Sequence, residues 1–191
     1  MTVHGPNGAT SWMHRSKNNS VPQGHGDTEK ISSVPLWLIN MPNLPPKLQE
    51  IVDDFASMTR EEKIETLVAY SESLPGIPDR LKDQRDKMDD VPECMTPVCL
   101  LGEKQPDGSV EFFFDIPPQS PTVRGLAAIL GNGLNGLKPE EILSVPGDFF
   151  LPMNLQDTIS QQRINGFMGV LAHMKQTVVK LLGDDLNNLL R

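Results

Sequence analysis

The chain is poor in the groups on which many secreted proteins, membrane proteins and enzymes rely. It has two cysteines in 191 residues, too few to staple a secreted domain of this length. Its nearest approach to a membrane span is Val34-Pro35-Leu36-Trp37-Leu38-Ile39, far short of the roughly 18 apolar residues a span requires. Nothing in the first 40 residues resembles an apolar signal core, so the expected setting is a reducing cytoplasm with both thiols free at rest. Basic residues are outnumbered, 17 Lys and Arg against 25 Asp and Glu, and the formal net charge of -8 repels phosphate backbones and anionic lipid. The expectation is no nucleic-acid partner and no membrane partner. There is no Walker loop, dinucleotide glycine fingerprint or C-x-x-C pair, and Gly131-x-Gly133 falls where a helix should end, so its amides form no phosphate cradle. His4, His14 and His25 follow no ligand spacing, so no metal is expected there. His173 is then the one histidine within the expected folded region that could serve as a base.

What is present divides the chain in three. Residues 1–40, rich in Gly, Ser, Asn and His and without hydrophobic period, are expected to form a disordered N-terminal extension, with Val34 to Ile39 apolar enough to dock. Residues 41–183 carry the periodic patterns of one domain, and 184–191 form a C-terminal tail after Gly183. Leu48, Ile51, Val52 and Phe55 behind Pro45-Pro46 predict a first helix to about Ser57. Thr59 with Glu62 is a capping box for a second helix that turns Ile64, Leu67, Val68 and Leu74 inward. The charged run from Asp79 to Asp90 reads as a solvated loop. Val98 to Glu103 and Ser109 to Asp115, joined by Pro106-Asp107-Gly108, predict an antiparallel hairpin, and consecutive Phe112, Phe113 and Phe114 predict a strand covered on both faces. Ser120-Pro121 opens a third helix that Gly131, Gly133 and Gly136 close, and Lys138-Pro139 opens a short one. Ser160 caps the longest helix, whose apolar stripe is expected to run through Ile164, Phe167, Met168, Leu171, Met174, Val178, Leu181 and Leu182.

Between the two halves lies Val91-Pro92-Glu93-Cys94-Met95-Thr96-Pro97-Val98-Cys99-Leu100, with both thiols. Cys94 follows Pro-Glu in a loop and reads as an exposed, reactive tip, whereas Cys99 lies within an apolar strand and reads as packed. In extended chain their separation is roughly 17 Å, beyond disulfide reach. Asp89, Asp90 and Glu93 lie close in sequence and oppose a thiolate, so a nucleophilic Cys94 needs a cation brought by the fold. Arg124 and Arg163 are the candidates, although by itself each arginine reads more readily as a helix-end salt bridge.

Leu44-Pro45 through Phe55, Leu74-Pro75, Val91-Pro92-Glu93-Cys94, Pro121-Thr122-Val123-Arg124-Gly125, and Ile159-Ser160-Gln161-Gln162-Arg163 with Gly166 resemble, in order and spacing, the SufE family of sulfur acceptors for cysteine desulfurases. Pro117-Pro118-Gln119-Ser120 and Thr96-Pro97-Val98-Cys99 depart from its better-known members and resemble a divergent branch. The resemblance implies an α+β fold, a SufE/NifU-like compact domain with helices packed on a small antiparallel sheet. It also implies a sulfur carrier and desulfurase activator rather than an enzyme in its own right. Cys94 would accept persulfide sulfur, with Arg163 on an arginine the family keeps and Arg124 on a basic position before glycine. The partners implied are a cysteine desulfurase, which would carry the pyridoxal phosphate, and an iron-sulfur scaffold complex as recipient, with no cofactor on this chain. Two other readings stay open: an allosteric desulfurase-binding module that carries no sulfur, and a small thiol-dependent hydrolase or redox protein using Cys94 with His173 or Cys99.

Overall fold

The computed structural model describes residues 44–189, so the N-terminal extension and the docking of Val34 to Ile39 lie outside the described residues. Helix α1 (Pro46–Ser57) opens on a proline whose missing N–H is one that a helix start leaves unpaired in any case. It buries Leu48, Ile51, Val52 and Phe55, the four residues of the predicted face. Helix α2 (Arg60–Ser73) begins with the predicted capping box, in which Thr59 Oγ1 accepts from the Glu62 amide and the Glu62 carboxylate accepts from the Thr59 amide.

The inward face of α2 differs from expectation. Leu67 and Leu74 are buried, but Ile64 and Val68 remain 41% and 43% exposed. The buried line is instead Lys63, Leu67 and Ser71, one residue every four, along which the lysine buries its alkyl stem. The cause is the neighbour. Helix α3 (Pro121–Leu134) presents Gly125 to Leu67 so closely that a Cβ there would overlap the Leu67 carbonyl oxygen. Two helices meeting backbone to backbone leave no room for a wide apolar seam, so the flanking Ile64 and Val68 stay in the open. Gly133 serves α1 in the same way, since a Cβ on it would stand 2.7 Å from Leu48 Cδ1. Gly131 and Gly133 therefore lie inside α3 and permit close approach, and the helix ends before Gly136, whose φ of 81° suits glycine.

The charged run is not a plain loop. Asp79–Lys87 winds as 3₁₀ turns, interrupted at Gln84, with Leu81 buried beneath it. It leads into a two-residue strand, β1 (Asp89–Asp90). The predicted hairpin forms from β2 (Cys99–Lys104) and β3 (Val110–Asp115), and β1 adds to its edge through Asp89 opposite Leu100 and Asp90 opposite Cys99. The sheet is antiparallel, in the order β1-β2-β3. Phe112 and Phe114 enter the core, while Phe113 is half-buried on the other face with the Arg80 guanidinium 5.3 Å from its ring centre.

Helix α4 (Pro139–Ser144) and two short 3₁₀ turns lead to α5 (Gln161–Leu189). The last helix does not stop at Gly183, and residues predicted as a tail continue it. An interior glycine costs about 1 kcal/mol relative to alanine. Half-buried Leu181 and Leu182 against the core and an ion pair from Lys104 of β2 to Asp185 oppose that cost. Among the described residues no helix is long and apolar enough to cross a membrane.

Two glycine substitutions should separate these roles in urea denaturation. Gly125→Ala should lower stability by about 2–3 kcal/mol, because backbone cannot yield to the new methyl group. Gly183→Ala, where an added Cβ meets nothing within 4 Å, should raise it by about 0.5–1 kcal/mol.

Candidate functional site

The loop between β1 and β2 is closed at its base by a hydrogen bond from the Val91 amide to the Val98 carbonyl, 2.9 Å. Within it the Cys94 amide donates to the Val91 carbonyl at 3.2 Å, so Pro92 and Glu93 occupy the middle of a tight turn for which proline supplies a preset φ. This turn carries Cys94 inward rather than to an exposed tip. Cys94 is half-buried, while its neighbour Met95 is 79% exposed.

The inward pose follows from what α5 offers beneath the loop. A Cβ on Gly166 would stand 2.9 Å from Cys94 Sγ, and one on Gly169 would stand 2.8 Å from Glu93 Cβ. One turn further along the helix, His173 Nε2 lies 3.2 Å from Glu93 Oε2. Beyond it, Thr177 Oγ1 and Lys180 Nζ donate to the Asp89 carboxylate at 3.1 and 2.6 Å. Positions 166, 169, 173, 177 and 180 share one helical face. The segment from Asp89 to Cys94 is thus laid along α5, with its polar end tied and its cysteine seated on glycine.

Beside that seat is a cavity of about 490 Å³. Val123 and Leu126 of α3 and Phe167 and Val170 of α5 supply its apolar walls, and Thr96, Ser160, Gln162 and Arg163 its polar ones, with Cys94 and Met95 from the loop. Arg163 is exposed, and among the described residues it forms no ion pair. The fold therefore brings Arg163 and Cys94 to one cavity.

Arg124 is not among the residues lining that cavity. Its guanidinium donates to the carbonyls of Ile116, Ser71 and Leu74 at 3.0, 3.3 and 3.2 Å. The last two carbonyls belong to the end of α2, where a helix leaves acceptors unpaired, so Arg124 pins the exits of α2 and β3 to the first turn of α3. Cys99 is buried, as expected of a strand residue. Its thiol donates to Asp90 Oδ1 at 2.9 Å, and Arg85 donates to its sulfur at 3.3 Å. Both thiols are free. His173, the one candidate base, faces Glu93 and does not line the Cys94 cavity.

Burial holds the Cys94 thiol above its ordinary pKa, and the adjacent Glu93 carboxylate pushes it further in the same direction. The other two acids that the sequence set against it are spent elsewhere. Burial works against the Asp89 carboxylate, yet the bonds from Lys180 and Thr177 bring it below its usual range. Asp90 acts on Cys99, whose thiol is raised first by burial and then by that bond. Among the described residues no group of three or more His, Cys, Asp or Glu is placed to hold a metal. What sequence reasoning missed is the Glu93–His173 pair and the role of Gly169. A Gly-x-x-Gly step on a long amphipathic helix was the available signal, since two small residues on one face leave a groove that something must fill.

The family model described as SufE, Fe-S metabolism associated domain, matches residues 49–178, which include the cysteine loop and the cavity. The chain belongs to the SufE family. The family ties it to iron-sulfur metabolism. A SufE-like protein of Mycobacterium tuberculosis is 35% identical over 134 residues, covering 70% of this chain and 92% of the relative. A chloroplastic and mitochondrial SufE-like protein of Arabidopsis thaliana is 31% identical over 164 residues, covering 85% of this chain and 40% of the relative. The cysteine desulfuration protein SufE of Plasmodium falciparum is 26% identical over 137 residues, 70% of this chain and 54% of its own. Among solved structures, the solution structure of a hypothetical protein from Thermus thermophilus superposes with a TM-score of 0.65 at 29% identity, covering 74% of this chain and 99% of that one. The α+β fold, helices against a small antiparallel sheet, is that of this SufE domain.

The seat and the electrostatics give two expectations. Because burial and Glu93 both disfavour the charged form, the rate of Cys94 alkylation should rise with pH through a midpoint above the ordinary thiol value of about 8.5; a midpoint near 7 would contradict it. Gly166→Ala should displace the sulfur and speed that reaction at fixed pH. Stability in urea should change by no more than about 1 kcal/mol, because the gain in helix propensity offsets the lost contact.

Proposed function

We propose that this SufE-family protein takes sulfur onto Cys94 from the persulfide of a cysteine desulfurase, stimulates that enzyme, and hands the sulfur on for iron-sulfur cluster assembly. The observation that carries the reading is Cys94 on a tied loop at the rim of an apolar cavity that also holds Arg163. Such a site can shelter one extra sulfur from water and oxidants, and an arginine in the same cavity can balance the charge of a thiolate or a persulfide anion. The names of relatives, among them a cysteine desulfuration protein, support the same direction.

The transfer is a thiol–disulfide exchange. The Cys94 thiolate attacks the outer sulfur of the desulfurase persulfide, a new S–S bond forms on Cys94, the S–S bond on the desulfurase breaks, and the desulfurase thiolate departs with the electron pair. The proton of the Cys94 thiol goes to solvent or to a base on the partner. Pyridoxal phosphate belongs to the desulfurase, and this chain works without a cofactor. Arg163 is the catalytic cation of the reading. Arg124 serves it at one remove, by holding α3 and with it Val123 and Leu126 in the cavity wall. Within the stretch from Asp89 to Pro97, the part beyond Val91 has to swing outward for the sulfur atoms to meet, because Cys94 is half-buried as it stands and Asp89 is held by α5.

A second reading draws on the raised Cys94 pKa: a module that docks on a desulfurase and activates it while its thiol stays idle. One experiment separates the two. The protein is mixed with a desulfurase and free cysteine, and the Cys94 peptide is weighed. Sulfur transfer adds the mass of one sulfur atom, about 32 Da, and Cys94→Ser both loses that label and abolishes stimulation. Full stimulation by Cys94→Ala with no label on the wild type would establish the idle-thiol module instead. Arg163→Ala should slow label uptake by about tenfold or more, as removal of a charge-stabilising group does.

A further inference from the structure

We propose that Glu93 is a positioning residue, latched on His173, that keeps Cys94 seated inward on α5 until the latch opens. This deepens the sulfur-acceptor reading and rests on it for its purpose, though not for its geometry.

Three contacts define the latch. Cys94 Sγ sits where a Gly166 Cβ would be 2.9 Å away, the Glu93 stem sits where a Gly169 Cβ would be 2.8 Å away, and Glu93 Oε2 meets His173 Nε2 at 3.2 Å. The first two are van der Waals contacts on glycine and have no direction of their own. The third is polar and directional, and it ties the residue next to Cys94. On the strand side of the loop, Asp89 is held by two donors, Lys180 and Thr177, and by pairing to Leu100, so that end is the fixed one. On the other side Met95 is 79% exposed and, among the described residues, has no side-chain hydrogen bond. Val91 is buried and its amide is tied to the Val98 carbonyl, so motion of the loop hinges beyond Val91, at Pro92, and the Glu93–His173 contact is what must part. The Glu93 side chain is 47% exposed, so a competitor for its carboxylate can reach it from solvent.

The same carboxylate has a second effect on the thiol. It raises the Cys94 pKa, after burial. An opening that carries the loop out of its seat relieves the burial, and a group that pairs with Glu93 removes its charge from beside the sulfur. One movement thus presents Cys94 and makes it easier to ionise. The charged and titratable groups facing this corner are Glu93 from the loop and Arg163, His173 and Lys175 from α5, while α3 contributes apolar Val123 and Leu126. Lys175 is engaged by the Val145 carbonyl.

The test reads the full-length chain alone, without a sulfur donor, so it is independent of whether Cys94 accepts sulfur. Iodoacetamide alkylation of the Cys94 peptide is followed by mass spectrometry across pH, which yields a plateau rate for accessibility and a midpoint for ionisation. Glu93→Ala and His173→Ala should each raise the plateau about two- to fivefold, the size of one side-chain hydrogen bond, and the double variant should raise it no further. The midpoint should fall in Glu93→Ala and also in Glu93→Gln, which keeps the stem on Gly169 and guards against loss of the fold by truncation. A structural role alone would leave that midpoint in place. Unchanged plateaus, or single effects that add in the double variant, would overturn the latch, as would an unshifted midpoint in Glu93→Gln. A failure of label uptake from a desulfurase with the alkylation results as expected would instead overturn the sulfur-acceptor reading and leave the latch standing.

Discussion

The residues from Asp89 to Cys94 lie against one face of α5, and the closeness of that approach is the constraint from which the site follows. A side chain at 166 or 169 would hold the loop off the helix. Without one, the turn through Pro92 and Glu93 can descend until its sulfur touches helix backbone. The same device recurs where α2 meets α3 at Gly125 and where α1 meets α3 at Gly133. Glycine at these positions loses helix propensity, about 1 kcal/mol each. What it provides is proximity, and with it the wall of the cavity and the seat of the thiol.

Charge is then distributed so that each acid near the thiols has its own partner. Asp89 goes to Lys180 and Thr177, Asp90 to the Cys99 thiol, Glu93 to His173. Arg85 reaches from the 3₁₀ turn to Cys99 and Asp115, which pair at the end of the sheet next to the cysteine loop. Of the two arginines at hand, Arg124 is consumed by three carbonyls and Arg163 is left facing the cavity. A thiol held inward, with its pKa raised by burial and by Glu93, is not a constitutively active nucleophile. Such a thiol resists stray oxidants, since the thiolate is the form that reacts.

Some of this was legible residue by residue. The face of α1, the capping box at Thr59, the hairpin about Asp107-Gly108 and the proline helix starts depend on neighbours a few positions away, and each formed as read. Cys94 in a loop and Cys99 in a strand came from the same local logic. The readings that failed depended on distant backbone. Ile64 and Val68 are apolar at helical spacing, yet the narrow crossing at Gly125 leaves them exposed. Gly183 looked like a stop, but the helix continues because Lys104 and the core reward its extension. The aspartates of β1 have poor strand propensity, and side chains from elsewhere hold them in the sheet, Lys180 and Thr177 of α5 at Asp89 and the Cys99 thiol at Asp90.

The sequence by itself determined the starts of the helices, the hairpin, the loop position of Cys94 and the membership of a family whose pattern of short motifs spans most of the domain. These rest on chain-local preferences and on the order of residues, which a string preserves. Only the tertiary structure decided that Cys94 faces inward, that Arg163 and not Arg124 shares its cavity, and that Glu93 answers to His173, 80 residues away in the chain. Those relations are distances between separate elements, and they come into being only when the glycine faces of α5 and α3 let backbone meet backbone.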